Sequence, residues 1–203
     1  MRSFCQSFED TPGRYLHEEQ TLPRFQIAAT AQGLLREPEM DQLIAIHAAS
    51  LTQSRLGAGQ NDPRIRRSQT VFLSRGEHEW LYRRLWEAAV ELNRLFFCVD
   101  ISDVEGNVQL ARYDSSDRGF YDWHTDFGDV APRRKISISV QLSRSEDYEG
   151  GDIELLYKGQ PEKAERARGT VIAFPSFALH RVTPVTRGAR WSLVAWITGA
   201  RWR

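Results

Sequence analysis

The side chains best equipped for chemistry lie in the second half of the chain. His124-Thr125-Asp126 forms an H-x-D triplet within Phe120–Asp126, a stretch that reads as a strand. Side chains two apart on a strand share a face, so the imidazole and the carboxylate can converge on one ion. A third donor would complete a two-histidine, one-carboxylate set. On a divalent iron that set leaves three neighbouring positions open, room for a bidentate ligand and a small gas molecule. Alone the triplet carries little weight, because motifs this short recur by chance. His180 follows the apolar approach FPSFALH, and Arg190 stands ten residues further on. A turn at Arg187–Ala189 would join two antiparallel strands and set His180 beside Arg190, both opening to one interior. A guanidinium behind a metal suits a five-carbon diacid that chelates at one end and forms a bidentate, charge-assisted pair at the other. An arginine on a strand otherwise belongs to a solvated face. The weight comes from the four positions together.

Positioning them requires a rigid frame, and its outline is legible. Residues 1–34 are polar and mixed, with a short strand expected near Arg24–Ala29. Helical spacing of Met40, Leu43, Ile44, Ile46, Ala48 and Leu51 predicts a helix over 37–51. Gly57, Gly59 and Pro63 then turn LGAGQNDPRIRRSQ into a loop. Trp80, Leu81, Leu85, Ala88, Ala89, Leu92 and Phe96 mark an amphipathic stripe, predicting a second helix over 77–97. Beyond Asp100 the pattern becomes short strands: 107–113, 120–126, 135–142, 152–157, 170–174, 180–184 and 191–197. KISISVQL alternates strictly, marking a strand with two unlike faces. Helices first and regular short strands afterwards predict an α+β fold, a jelly roll buttressed by N-terminal helices.

Bulk properties narrow the field further. The chain has 203 residues, 41% of them hydrophobic, enough for one domain with a real core. Helical residues 35–98 and a jelly-roll core over 100–199 are expected to form that single domain. Lys plus Arg and Asp plus Glu both number 27, so no overall field draws the chain to nucleic acid or anionic lipid. Cys5 and Cys98 are too few for a disulfide framework; Cys98, closing Leu95-Phe96-Phe97, is expected to be a small buried hydrophobe. The start, MRSFCQSFEDTPG, lacks a signal-length apolar stretch, and nothing downstream reads as a membrane span. A cytoplasmic location is therefore the default expectation. Oligomeric state is not legible.

With these motifs in view, YDWHTDFGD, EGGDIELLY and GTVIAFPSFALHRVTPVTRGARWS resemble the prolyl-4-hydroxylase-like branch of the iron(II)/2-oxoglutarate dioxygenases, and within it the bacterial PKHD-type hydroxylases. The resemblance covers about residues 107–197 and is looser over 66–98, which includes SQTVFLS. It implies a double-stranded β-helix with iron(II) on His124, Asp126 and His180. It implies 2-oxoglutarate on Arg190, with Tyr113 hydrogen-bonding the same carboxylate and Ser139 as a further polar contact. The implied reaction splits 2-oxoglutarate into succinate and carbon dioxide while dioxygen hydroxylates an unactivated C–H bond, with ascorbate as a candidate reductant. The implied substrate is amino-acid-like, peptidyl or a natural-product intermediate. DSSDRGFYDW, the link before the triplet, is longer and more charged than the family's usual one. The sequence also ends soon after the core, so the C-terminal extension of PKHD-type members is expected to be missing.

Other residues carry weaker expectations. Trp123 and Tyr121 alternate away from His124 on an ideal strand and would meet substrate only through a bulge. Trp196 and Trp191 read as core aromatics. Asp117, Arg118, Asp122, Asp129 and Arg187 read as loop or rim residues. His17, His47 and His78 have no second ligand at metal spacing. Two competing readings remain open. A non-catalytic metal- or small-molecule-binding jelly roll would keep the fold and lose turnover. An oxygenase of alkylated nucleic acid would need a second inward arginine soon after Arg190, and Trp191–Thr198 contains none.

Overall fold

The computed structural model describes residues 27–56, 59 and 61–201. The first elements are β1 (Ala29–Ala31), α1 (Glu37–His47), β2 (Thr52–Gln53), β3 (Arg66–Arg67), β4 (Gln69–Ser74) and α2 (Arg75–Leu92). Then follow β5 (Asp103–Val104), β6 (Asn107–Asp114), β7 (Phe120–His124), β8 (Arg134–Gln141) and β9 (Tyr148–Gly150). The last are β10 (Ile153–Tyr157), β11 (Gln160–Lys163), β12 (Val171–Pro175), β13 (His180–Val182) and β14 (Val185–Thr198). A major sheet runs β1-β12-β8-β14-β6-β4-β2, with β5 and β9 also bonded to β14. A minor sheet runs β11-β10-β13-β7-β3. The two antiparallel sheets with helices against the major one form the expected α+β double-stranded β-helix.

The helices cover the major sheet because both surfaces present apolar rows at matching periods. On α2, Leu81, Tyr82, Leu85, Ala89 and Leu92 are buried at three- and four-residue intervals. On β8, Ile136, Ile138 and Val140 point at the helices, while Ser137, Ser139 and Gln141 point the other way. The alternation continues on β14, where Leu193, Ala195 and Ile197 join the helix-side core. Tyr82 fixes the register of this packing: its hydroxyl donates to Leu73 O at 2.8 Å and accepts from Val108 N at 2.9 Å. Arg84 of α2 pairs with Glu39 of α1 at 2.8 Å, tying the two helices together. The outcome is a sheet with one greasy face and one polar face. The polar face lines the interior of the roll.

Several elements differ from the sequence-based outline. The strand expected near Arg24–Ala29 lies partly outside the described residues, and the observed strand starts at Ala29. Helix α1 ends at His47 and tightens into a 3₁₀ turn at Ala48–Ser50. Strand β4 occupies QTVFLS, beginning at Gln69, where the segment expected as a loop ends. Four strands thus precede or interrupt the helices rather than follow them. The second helix ends at Leu92 and widens into a π-turn over Asn93–Phe97, closed by Cys98 in the left-handed conformation at φ 49°. That widening turns Phe96 outward, 54% exposed. Cys98 is likewise exposed rather than buried. Strands β9 and β11 fall in the gaps between the strands expected over 135–142, 152–157 and 170–174.

The largest difference concerns the end of the chain. No turn interrupts Arg187–Ala189; β14 runs unbroken from Val185 to Thr198. The chain turns earlier, at Thr183–Pro184, and changes sheet there. Gly150 permits the close crossing: at φ +69°, a Cβ on it would sit 2.0 Å from Pro184 O.

Candidate active site

His124 and His180 are cross-strand partners, paired directly between β7 and β13. Their ring centroids lie 4.1 Å apart. Asp126 reaches them differently from the pleat argument, because β7 ends at His124. The carboxylate stands in the following turn, which is pinned where Asp126 N and Phe127 N both donate to Ser176 O, at 2.9 and 3.0 Å. Asp126 Oδ1 is 3.9 Å from His124 Nε2, and Oδ2 is 3.6 Å from His180 Nε2. One donor atom from each residue fits within 4.8 Å of the others. The strand predicted to Asp126 is two residues too long, yet the three groups meet.

Their local bonding suits a metal. His124 Nδ1 lies 2.7 Å from Asp122 O, and His180 Nδ1 lies 2.9 Å from Ala178 O. Each Nδ1 then carries the proton and each Nε2 keeps its lone pair turned to Asp126. Burial, helped by His180, pushes His124 down to about 3, so it is a neutral imidazole at neutral pH. Burial alone would raise the Asp126 carboxyl; His180, His124 and the Ser137 hydroxyl outweigh it and hold it below its ordinary value. A neutral imidazole at His124 and an ionised carboxylate at Asp126 are the states a divalent cation needs of them.

Ser137 was missed by sequence reasoning, although KISISVQL puts it on the same face as Ser139. Its hydroxyl donates to Asp126 Oδ2 at 2.7 Å and lies 3.0 Å from Ser176 Oγ. Partners of this kind fix a ligand's direction. Ser137→Ala is expected to weaken metal binding about 10–100-fold with unfolding unchanged, read by titrating metal into the purified variant.

Arg190 is 1% exposed and sits on the major sheet, while His180 sits on the minor one. The two are therefore not on adjacent strands. They look into the same interior from opposite walls, both lining one cavity of about 1070 Å³ with His124, Asp126, Tyr113 and Ser139. Register explains the neighbours: Arg190 pairs with Tyr113 on β6, and Val194 pairs with Ser139 on β8. Arg190 Nη2 donates to Gln141 Oε1 at 2.8 Å and Nη1 to Ser192 Oγ at 3.4 Å. The Tyr113 ring lies 5.6 Å from its Cζ. Burial pulls the Arg190 pKa below its usual value. Among the described residues no carboxylate pairs with it, and its Nε has no hydrogen-bond partner. A buried guanidinium facing only neutral oxygens is costly without an anion, and that fits a dicarboxylate co-substrate.

The aromatic residues sort against expectation in two places. Between the pairs His180–His124 and Val182–Tyr121 the register slips, so β7 carries a bulge at Asp122–Trp123. Tyr121 therefore faces inward and stacks on His124 at 3.5 Å. Trp196 lines the cavity too, under Arg134 at 3.8 Å, whereas core packing was expected. Trp191 packs on the helix side, and Trp123 lies beneath Arg181 outside the cavity. Asp117, Arg118, Asp122, Asp129 and Arg187 do not line it; Arg187 pairs with Glu149 at the surface. His47 and His78 form a pair at 3.1 Å far along the helices, and His17 lies outside the described residues.

Comparison with known proteins gives this geometry its class. The model of the 2OG-Fe(II) oxygenase superfamily matches residues 108–198, the stretch that carries all six predicted site residues. A PKHD-type hydroxylase of Hyphomonas neptunium is 40% identical over 73 residues, 36% of this chain and 33% of that protein. One from a Synechococcus strain is 28% identical over 168 residues, 78% of this chain and 72% of that protein. Among solved structures, a Pseudomonas putida prolyl-4-hydroxylase superposes with TM-score 0.68 at 20% identity, covering 86% of this chain and 93% of its own. A Trichoplax adhaerens prolyl hydroxylase bound to a peptide superposes with TM-score 0.72 at 17% identity, covering 85% and 84%; likeness this remote speaks to the fold. Over residues 108–198 the chain is similar to the 2OG-Fe(II) oxygenase superfamily. The curated relatives it resembles are PKHD-type hydroxylases.

Proposed function

We propose that this protein is an iron(II)- and 2-oxoglutarate-dependent hydroxylase, with His124, Asp126 and His180 as the metal ligands and Arg190 as the seat of the co-substrate's far carboxylate. One observation carries the reading: a two-histidine, one-carboxylate set and a buried guanidinium with no counter-ion among the described residues open into the same cavity. Iron(II) held there, with 2-oxoglutarate as electron donor, supplies dioxygen activation: 2-oxoglutarate, dioxygen and R–H give succinate, carbon dioxide and R–OH.

The chain's own residues orient and enclose this reaction. The Nδ1–H bonds to Asp122 O and Ala178 O fix both imidazoles with Nε2 turned toward Asp126, where the three groups would hold the ion. Ser137 keeps one Asp126 oxygen occupied, which leaves the other for the ion. Gln141 and Ser192 hold the Arg190 fork in place, and Tyr113 and Ser139 supply hydroxyls on the same wall. Val182, Val194, Ile153 and Phe174 give the interior an apolar wall. The whole chain acts as one catalytic domain on a small or peptidyl substrate, with ascorbate as the reductant that restores iron(II) after an uncoupled turnover.

The test is succinate formation. Chelator-treated protein is expected to make none from 2-oxoglutarate under air, and added ferrous ion, but not zinc, restores it. Succinate output indifferent to chelation would defeat the reading, and a metal-binding protein that never yields succinate would fit the non-catalytic alternative.

A further inference from the structure

A second buried guanidinium lines the cavity, and the co-substrate leaves it unused. Arg66, on β3, is 6% exposed although it lies in the run RIRRSQ, which reads as a polar loop. Strand β3 pairs with β7, setting Arg66 opposite Tyr121. Its guanidinium carbon stands 4.6 Å from the centre of the Tyr121 ring, the same ring that stacks on His124 at 3.5 Å. Arg66 thus reaches the metal centre through a single intervening aromatic.

Its polar contacts are incomplete. Nε donates to Ser68 Oγ at 2.8 Å, and Ser68 Oγ continues to Ser54 Oγ at 2.7 Å. Among the described residues, Nη2 is buried with no hydrogen-bond partner and no carboxylate pairs with Arg66. Serine hydroxyls orient one edge of the fork without neutralising it. A buried cation in this state is poised for an anion.

Counting carboxylates assigns the anion. In the reading above, 2-oxoglutarate spends one carboxylate on the metal and the other on Arg190. Neither remains for Arg66, which sits on the opposite wall from Arg190, against the ring beside His124. We infer that Arg66 binds the carboxylate of the substrate to be hydroxylated, so that the substrate is a small free carboxylic acid of the amino-acid class. Arg55, exposed and also lining the cavity, adds positive potential along the approach. The inference rests on the proposed dioxygenase activity and adds the substrate class to it.

The probes are the common L-amino acids, each beside its α-carboxamide. They are titrated into the anaerobic protein loaded with ferrous ion and 2-oxoglutarate, and the metal-to-ligand absorption band is followed. At least one acid is expected to perturb the band while its amide does so roughly 30-fold more weakly or not at all. Arg66→Met is expected to lose that preference, whereas Arg64→Met, an exposed neighbour paired with Asp62, titrates as wild type. The acid-against-amide comparison uses wild-type protein, so it stands even where Arg66→Met fails to fold. Three results overturn the inference while leaving the dioxygenase reading intact: no acid perturbs the band, amides match their acids, or Arg66→Met binds the acid as tightly as wild type. Absence of any band in the wild type would sink the activity itself, and this inference with it.

Discussion

Asp126→Ala is expected to abolish succinate formation through loss of metal, with the fold retained. Asp126 is the only anionic member of the triad, and its two oxygens face both Nε2 atoms. Four-ligand structural zinc sites bind with about 10–16 kcal/mol, so one ligand is worth roughly 3 kcal/mol, a hundredfold or more in affinity. The anionic member should stand at or above that average. The backbone around it is held independently, since Asp126 N donates to Ser176 O whatever the side chain is. Far-ultraviolet dichroism should therefore match wild type while ferrous affinity falls. Full activity in the variant, or unfolding without metal loss, would contradict the assignment.

Arg190→Met is expected to move two quantities in opposite directions. Removing one partner of a buried, hydrogen-bonded charge pair costs about 2–5 kcal/mol, so half-saturation by 2-oxoglutarate should rise roughly 30-fold or more. Metal affinity should be unchanged, because Arg190 stands on the wall opposite the triad. Without ligand, however, the guanidinium is buried at 1% exposure with no counter-ion among the described residues. Replacing buried charge by an apolar side chain of similar size is often stabilising, by about 1–4 kcal/mol. The ligand-free variant should then melt higher than wild type, by about 2–4 °C for each kcal/mol in a chain of this size. Added 2-oxoglutarate should raise the melting temperature of wild type and leave the variant's nearly unmoved. An Arg190 that merely braced the core would lower the melting point on removal and leave the ligand response alone.

How far the sequence discloses this site depends on whether local periodicity or tertiary register does the placing. The unlike faces of KISISVQL are a period-two signal, and β8 does send its isoleucines to the helix-side core and its serines to the other face, with Ser139 on the cavity wall. The apolar stripe of α2 is equally local. By contrast, His180 meets His124 because β13 pairs with β7 in one particular register, and no local pattern encodes that. The pleat argument brought Asp126 to the right place for an incomplete reason, since a turn bonded to Ser176 does the placing. A bulge between Tyr121 and His124 inverted the expected direction of Tyr121. Arg190 was matched to His180 across a turn that does not exist; the chain changes sheets at Pro184, and the two residues face each other across the interior. Arg66 was invisible for a related reason, because PRIRRSQ has loop composition and only its pairing with β7 buries it. Residue types announced the chemistry. Which walls they occupy came from strand pairing.

The account stands most directly on one titration. Ferrous protein without oxygen is titrated with 2-oxoglutarate and, separately, with pyruvate, which has the same chelating end and lacks the far carboxylate. The predicted result is a 1:1 visible absorption band for 2-oxoglutarate at low concentration, with pyruvate needing roughly 30-fold more or failing. Equal titration by both acids would contradict the role given to Arg190, and no band with either would contradict the metal centre itself.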